Sequence, residues 1–211
     1  MTDREVDSGR FLVVDGPEGS GKSSQVHRIF DHLRNTGHAV QVFRDPGGTS
    51  AGERIRGLLL DPAMGEVVPL TEILLFLASR SQLIQEKIKP ALRRGEIVVL
   101  DRFHYSTIAY QVFGLGQGTL PGSIIDLIRS VNGDLEPDRV FLLDVPPEIG
   151  MKRISGKPDR IEKRDHSFHT RVRRGFLAQA EQEPDLFRVI DATLPEEEVF
   201  QKLIQEVFSV L

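Results

Sequence analysis

Residues 16–23 read GPEGSGKS, and this stretch constrains the fold more than any other in the chain. It fits the pattern G-x-x-x-x-G-K-[ST] without a mismatch, and that pattern works only between a buried strand and a helix. Both are legible. FLVVD precedes it, and Val26, Ile29, Phe30 and Leu33 follow at helical spacing with Gly37 as a stop. Glycines let the backbone turn tightly and aim several N–H groups at one centre, while the helix N-terminus adds a positive dipole end. Gly16, Pro17, Glu18, Gly19, Ser20, Gly21, Lys22, Ser23 and Ser24 are therefore expected to cradle the phosphates of a purine nucleoside triphosphate, with ATP the expected ligand. Lys22 would reach the β and γ phosphates, and Ser23 would offer its hydroxyl to Mg²⁺.

A strand–loop–helix of this kind belongs to an α/β sheet, and the remaining apolar runs supply it. AVQVF (39–43), EIVVL (96–100), RVFLLD (139–144) and FRVID (187–191) are nearly continuously apolar, as expected of parallel strands covered on both faces. Helical patterns alternate with them. LTEILLFLASRSQLIQEKI is read as a long helix closed by Pro90 and Gly95, and PGSIIDLIRSVNG and PEEEVFQKLIQEVF as helices opened by proline. The reading is a doubly wound α/β fold over residues 11–211, one domain, after a flexible tail over 1–10. With 39% apolar and 27% charged residues and a net charge of −4, no basic face for a nucleic-acid polymer is implied. The absence of cysteine excludes thiolate metal sites and disulfides. The polar N-terminus and the lack of any long apolar run point to a cytoplasmic protein with no membrane partner.

Ligands of such sheets collect at the carboxyl ends of the strands. Asp101 and Arg102 stand where the third strand stops, and Arg44 where the second does. Residues 153–175 are strongly basic, and can be a solvated loop entering a helix or a mobile lid. The Asn-Lys-x-Asp guanine reader of GTPase switches is missing, and Asp101 is followed by Arg102 rather than by the glutamate of motor ATPases. Cations at strand ends together with a basic closing segment favour a nucleoside-monophosphate kinase. The alternatives are a kinase of another nucleotide or of a deoxynucleoside, and a nucleotide-dependent switch without acceptor chemistry. His166 and His169 read as solvated helix residues, since two nitrogens without a third ligand are no metal site.

FRDPGGT (43–49), FLASRSQL (76–83), DRFHYSTIAYQ (101–111), LLDVPPEIGMKR (142–153) and DRIE (159–162) fall in an order and spacing that resemble bacterial thymidylate kinases along almost the whole chain. The resemblance implies the P-loop kinase fold, with sheet order 2-3-1-4-5, helices on both faces and a short lid over about 153–165. It implies ATP and dTMP as substrates, dTDP as product, Mg²⁺ as cofactor and a homodimer built in part on helix 70–92. It further implies that Phe76 stacks on the thymine, that Arg80 bonds a thymine carbonyl, and that Thr107 reads the base edge with Gln111 one turn on. Tyr110 would pack where a 2′-hydroxyl would stand, Glu18 would meet the 3′-hydroxyl, Arg56 and Arg102 would hold the acceptor phosphate, and Asp101 would serve the metal. Arg153, Lys157 and Arg160 are the candidates for a catalytic lid cation beside Lys22, Asp101 and Arg102. The family usually has Glu where Asp45 stands, and the shorter arm is expected to loosen that loop.

Overall fold

The structure, a computed structural model, describes residues 9–116 and 122–211. The five apolar runs form β1 (Arg10–Asp15), β2 (Val40–Arg44), β3 (Ile97–Asp101), β4 (Arg139–Asp144) and β5 (Phe187–Asp191). They make one parallel sheet in the order β2-β3-β1-β4-β5, the P-loop kinase order expected above. Between the strands run α1 (Lys22–Asn35), α2 (Ser50–Leu60), α3 (Pro69–Leu83), α4 (Lys89–Arg93), α5 (His104–Thr107), α6 (Gly122–Asn132), α7 (Pro147–Arg153), α8 (His166–Gln182) and α9 (Glu196–Phe208). Most of the expected tail over 1–10, and Pro121 as a helix opener, lie outside the described residues. Arg10 already belongs to β1, where it stands opposite Ile97.

Side chains alternate across the central strands, so each strand feeds two cores. Phe11, Val13, Val98, Leu100, Val140 and Leu142 pack with Leu83, Tyr105, Val172 and Phe176 on one face. Leu12, Val14, Val99, Phe141 and Leu143 pack with Val26, Ile29, Leu33, Leu203 and Val207 of α1 and α9 on the other. Full coverage belongs to the interior strands. At the edges, β2 and β5 keep positions open to solvent, and Val189 is 51% exposed.

Pro90 does not end the long helix, contrary to the sequence expectation. The chain passes from α3 through a π-helical turn, Ile84–Ile88, into α4, and Pro90 lies in the first turn of α4. Proline removes one N–H donor and crowds the preceding turn, and a π turn at that point relieves both demands. Gly95, with φ 75° and its N–H donated to Leu92 O, is the actual stop.

Parallel register brings the strand ends level. Asp101 stands opposite Val14 on one side and Arg44 on the other. The loop after β1 is then wedged against α7, where two glycines meet. A Cβ on Gly19, whose φ is 69°, would fall 1.9 Å from Gly150 O, and a Cβ on Gly150 would fall 2.2 Å from Glu18 O. Both contacts are to backbone, which cannot swing aside. Gly150→Ala is therefore expected to destabilise the fold by about 1–3 kcal/mol, the usual range for overpacking. Urea unfolding of the variant beside the wild type checks this, and an unchanged midpoint would show that loop and helix separate freely.

Candidate functional site

The loop after β1 is organised from below by Asp15. Its carboxylate is fully buried and accepts hydrogen bonds from Gly16 N (2.9 Å), the Ser106 hydroxyl (2.7 Å) and Phe103 N (3.3 Å). Burial pushes this carboxyl up, against the pull of Arg102 and Ser106. Above it, the buried Lys22 ammonium donates to Pro17 O (2.7 Å) and Ser20 Oγ (3.2 Å). Burial above all, and Arg102 next, pull Lys22 down to about 8. The Ser23 hydroxyl donates to Asp101 Oδ2 at 2.7 Å, so two hard oxygen atoms sit together where β3 ends and α1 begins. The next hydroxyl, Ser24, turns away to Glu196.

Arg102 is the junction. Among the described residues it is the one non-glycine with positive φ, 69°, a conformation that costs about 1–3 kcal/mol unless its surroundings hold it. Here they do. Its N–H donates to Val14 O, and its guanidinium donates to Gly16 O (3.0 Å), Ser106 Oγ (3.1 Å) and Glu18 Oε1 (2.8 Å). The same guanidinium stands 5.1 Å from the centre of the Tyr110 ring, and the Tyr110 hydroxyl donates to Glu18 Oε1 at 2.7 Å. Burial pushes Glu18 up, but Arg102 foremost, with Lys22 and Tyr110, outweighs it and holds the carboxyl at about 2.

The far wall comes from α2, α3 and the π-helical turn Ile108–Gly114 that follows α5. Arg80 is 1% exposed and donates from Nε to Asp45 Oδ2 (2.5 Å) and from Nη2 to the Thr107 hydroxyl (2.9 Å). Its Nη1 is buried without a partner among the described residues. The Asp45 loop is not loosened by the shorter side chain. Asp45 is buried against Arg80, Asp45 N donates to Asp101 O (2.9 Å), and Gly47 N donates to Ser79 Oγ (3.0 Å). Arg56 donates to Pro46 O (3.1 Å), and burial draws it below the usual arginine value. Phe76 is half-buried, and Gln111 donates its amide to Glu72 Oε1 (2.8 Å).

These groups share one cleft of about 360 Å³, within the range of small-molecule sites. The loop residues Glu18, Gly19, Gly21, Lys22, Ser23 and Ser24 line it. So do Phe76, Thr107, Tyr110 and Gln111, with Arg56, Asp101 and Arg102, and Tyr110 and Arg102 both donate to Glu18 of the loop. Gly16, Pro17, Ser20 and Arg80 stand behind this lining as supports.

The three basic candidates after β4 are not brought into the cleft. Arg153, at the end of α7, donates to Ala192 O (2.7 Å) and Thr193 O (3.5 Å). Arg160 donates to Glu72 Oε2 (2.6 Å) and Leu59 O (2.9 Å). Lys157 is exposed. The segment's own contributions to the lining are Asp159, Ile161 and Glu162. Of the two histidines, His166 is exposed and lies 3.0 Å from Glu148, but His169 is 3% exposed. It sits one turn further along α8, on the face packed against the core, and burial lowers its basicity.

Two carboxylates of the site escaped the sequence reading. Asp15 ends its strand as Asp101, Asp144 and Asp191 end theirs, so nothing local distinguishes it. Glu72 had a usable signal, because it shares the i, i+4, i+8 stripe of α3 with Phe76 and Arg80.

A sequence model described as thymidylate kinase matches residues 14–203. A thymidylate kinase of Deinococcus radiodurans is 47% identical over 196 residues, covering 92% of this chain and 94% of that protein. One of Alcanivorax borkumensis is 46% identical over 198 residues, covering 93% and 94%. The crystal structure of thymidylate kinase from Ehrlichia chaffeensis superposes with a TM-score of 0.77 at 33% identity, covering 94% of this chain and 98% of that one.

The buried ion pair behind the cleft makes a stability test. Arg80→Met leaves Asp45 in the interior without its counter-charge, which typically costs about 3–5 kcal/mol. Adding Asp45→Asn removes the stranded charge, and most of the loss should return in urea unfolding. Equal stability of the single and double variants would mean that Asp45 finds another partner.

Proposed function

The chain belongs to the thymidylate kinase family, and from that premise we propose that it transfers the γ-phosphoryl group of ATP to dTMP, with Mg²⁺, giving dTDP and ADP. One observation carries the reading. A phosphate loop with Lys22 and Ser23 lines the same cleft as Phe76, Thr107 and Gln111, and Arg102, which also lines it, is bonded to Glu18 of that loop and stands over the Tyr110 ring. Donor phosphates and acceptor base would each meet matched groups in one cleft, with Arg102 proposed where the acceptor phosphate meets the donor.

In this reading Phe76 stacks on the thymine and Thr107 meets its edge. Arg80 stands behind the lining with its Nη1 buried and without a partner among the described residues, and its bond to a base carbonyl is proposed from the family resemblance. Tyr110 and Glu18 take the sugar side, the ring crowding a 2′-substituent and the carboxylate accepting from the 3′-hydroxyl. Arg102 and Arg56 hold the acceptor phosphate in the forked geometry suited to it. An oxygen of that phosphate attacks the γ-phosphorus as the bond to the β–γ bridging oxygen breaks, and ADP leaves. Lys22 exchanges Pro17 O and Ser20 Oγ for phosphate oxygens and meets the charge spreading over the transferred group.

The Ser23 hydroxyl and Asp101 carboxylate, 2.7 Å apart, are hard oxygen donors that fit a magnesium ion keeping most of its other positions for water and phosphate. Bound there, Mg²⁺ supplies neutralisation of the β and γ phosphate charge. Of the three basic candidates, Lys157 is the one left to reach in if residues 153–165 act as a lid, since Arg153 and Arg160 hold other partners. A homodimer is proposed through α3, which exposes Leu70 and Leu74 beside Val68. No helix among the described residues is long and apolar enough to cross a membrane, which fits the cytoplasmic location we propose.

The direct test is ADP release measured with dTMP, dUMP, UMP, dCMP, AMP and GMP as acceptors. We expect dTMP to lead, with dUMP next, because one methyl group in a pocket is worth only about 1–3 kcal/mol. ATP turnover independent of every acceptor would refute the kinase reading. Lys22→Met should retain the fold by circular dichroism and lose roughly 10²–10³ in rate.

Lys22 also predicts a pH dependence. Its folded value of about 8 lies below that of a free lysine, so the charged form costs folding stability below about 8 and that cost fades as pH rises. Phosphate oxygens favour the charged form. ATP binding should therefore take up a proton above pH 8, and affinity should fall as pH rises through that value. Calorimetry near pH 9 in two buffers of different ionisation enthalpy reads the uptake, and Lys22→Met should abolish it.

A further inference from the structure

Glu72 takes no part in the chemistry proposed above, yet it is one of the most committed side chains in the fold. It lies on α3 with no exposed surface. One carboxylate oxygen accepts from Gln111 Nε2 at 2.8 Å. The other accepts from Arg160 Nη2 at 2.6 Å and Arg164 Nη2 at 2.9 Å, and Arg164 Nη2 also reaches the first oxygen at 3.3 Å. Arg160 also donates to Leu59 O at 2.9 Å, and its N–H to Leu60 O at 3.3 Å. A single carboxylate thus ties the segment before α8 to α2, α3 and the π turn that carries Gln111.

An ionised carboxylate has no proton to donate. Whatever group faces it must be a donor, so the amide of Gln111 has only one permitted orientation: nitrogen toward Glu72, oxygen toward the cleft that Gln111 lines. The two arginines, which can only donate, hold the carboxylate in place. A neutral partner could be met by either end of the amide. A charged one removes that freedom.

Taking the proposed function as its basis, we propose that Glu72 is a specificity-determining positioning residue, which aims the Gln111 carbonyl at the base and so selects pyrimidines carrying a proton on N3. Thymine and uracil present N3–H to that oxygen. Cytosine presents a bare N3, and two acceptors would then face each other in a buried site, a mismatch that sites built on hydrogen bonds reject strongly. The arginine contacts place residues 160 and 164 on the same carboxylate, so base selection and the seating of this segment over the cleft share one anchor.

The test is Glu72→Gln, which keeps the shape. Its carbonyl would serve the arginines and its NH₂ would face Gln111, turning the Gln111 amide over and presenting a donor to the base. The ratio of kcat/KM for dTMP to that for dCMP is expected to fall at least tenfold, with the ATP KM unchanged. Glu72→Asp keeps the charge but draws the carboxylate back from Gln111, and should lower the same ratio by a smaller factor; if Glu72→Gln does not fold, this variant decides. In a Gln111→Ala background, Glu72→Gln should no longer move the ratio. A role confined to holding the fold would lower turnover of both nucleotides alike, so a ratio within twofold of wild type in folded Glu72→Gln or Glu72→Asp overturns the inference while leaving the kinase reading intact. If the wild-type protein fails to phosphorylate dTMP, the proposed function falls and this inference with it.

Discussion

The Asp15 carboxylate is the contact on which the site depends. It has no exposed surface, and it collects Gly16 N from the loop after β1 together with Ser106 and Phe103 from the segment after β3. Arg102 stands 3.7 Å away. Burying a carboxylate is costly unless its oxygens are fully satisfied, and here satisfying them requires two loops to be in register. The same constraint holds Arg102 in a backbone conformation that few side chains accept. Position of the phosphate loop and aim of the central guanidinium are thus set by one group.

The sheet was legible because parallel strands covered on both faces leave an unmistakable apolar run, and the phosphate loop because its glycines and lysine have so few other uses. Boundaries moved by about one residue, which matters only where Arg44 and Asp101 turn out to be opposed at the strand ends. Pro90 misled for a physical reason. Proline normally ends a helix, but a π turn just before it absorbs the missing donor. His169 misled because charge along 153–175 masks the buried stripe of α8, on which Phe168, Val172 and Phe176 also lie. Arg80, Thr107, Tyr110 and Gln111 were named in advance through resemblance. Asp15 and Glu72, on which the orientation of Arg102 and Gln111 rests, were not. A buried acid is recognisable only when its partners are known, and those partners are 91 and 88 positions away in the chain for Ser106 and Arg160.

Arg160 and Arg164 illustrate the same limit from the other side. Basic residues in a segment following a strand invite assignment to a phosphate, because cations and phosphates are complementary. Their positions answer a different demand, the neutralisation of Glu72. A carboxylate so deeply buried needs counter-charge at short range, and arginine supplies it with directed N–H donors. The fork that suits a phosphate suits a carboxylate equally, so sequence alone does not distinguish the two uses.

The groups of the cleft satisfy one another. Lys22 is bonded within its own loop, Ser23 to Asp101, and Glu18 to both Arg102 and Tyr110. Each bond is made between groups of a kind that a phosphorylated nucleotide would otherwise address, so binding exchanges contacts rather than adding them. A ligand bearing phosphate alone could draw Lys22 from Pro17 O and Ser20 Oγ, but would leave Glu18 competing for Arg102. Releasing Arg102 requires something that satisfies Glu18 as well, and a hydroxyl donor does that where a second anion does not. The nucleotide proposed for this cleft would therefore have to bring complementary donors and acceptors together. That requirement follows from the hydrogen bonds among the cleft's own groups and is separate from the shape of the pocket.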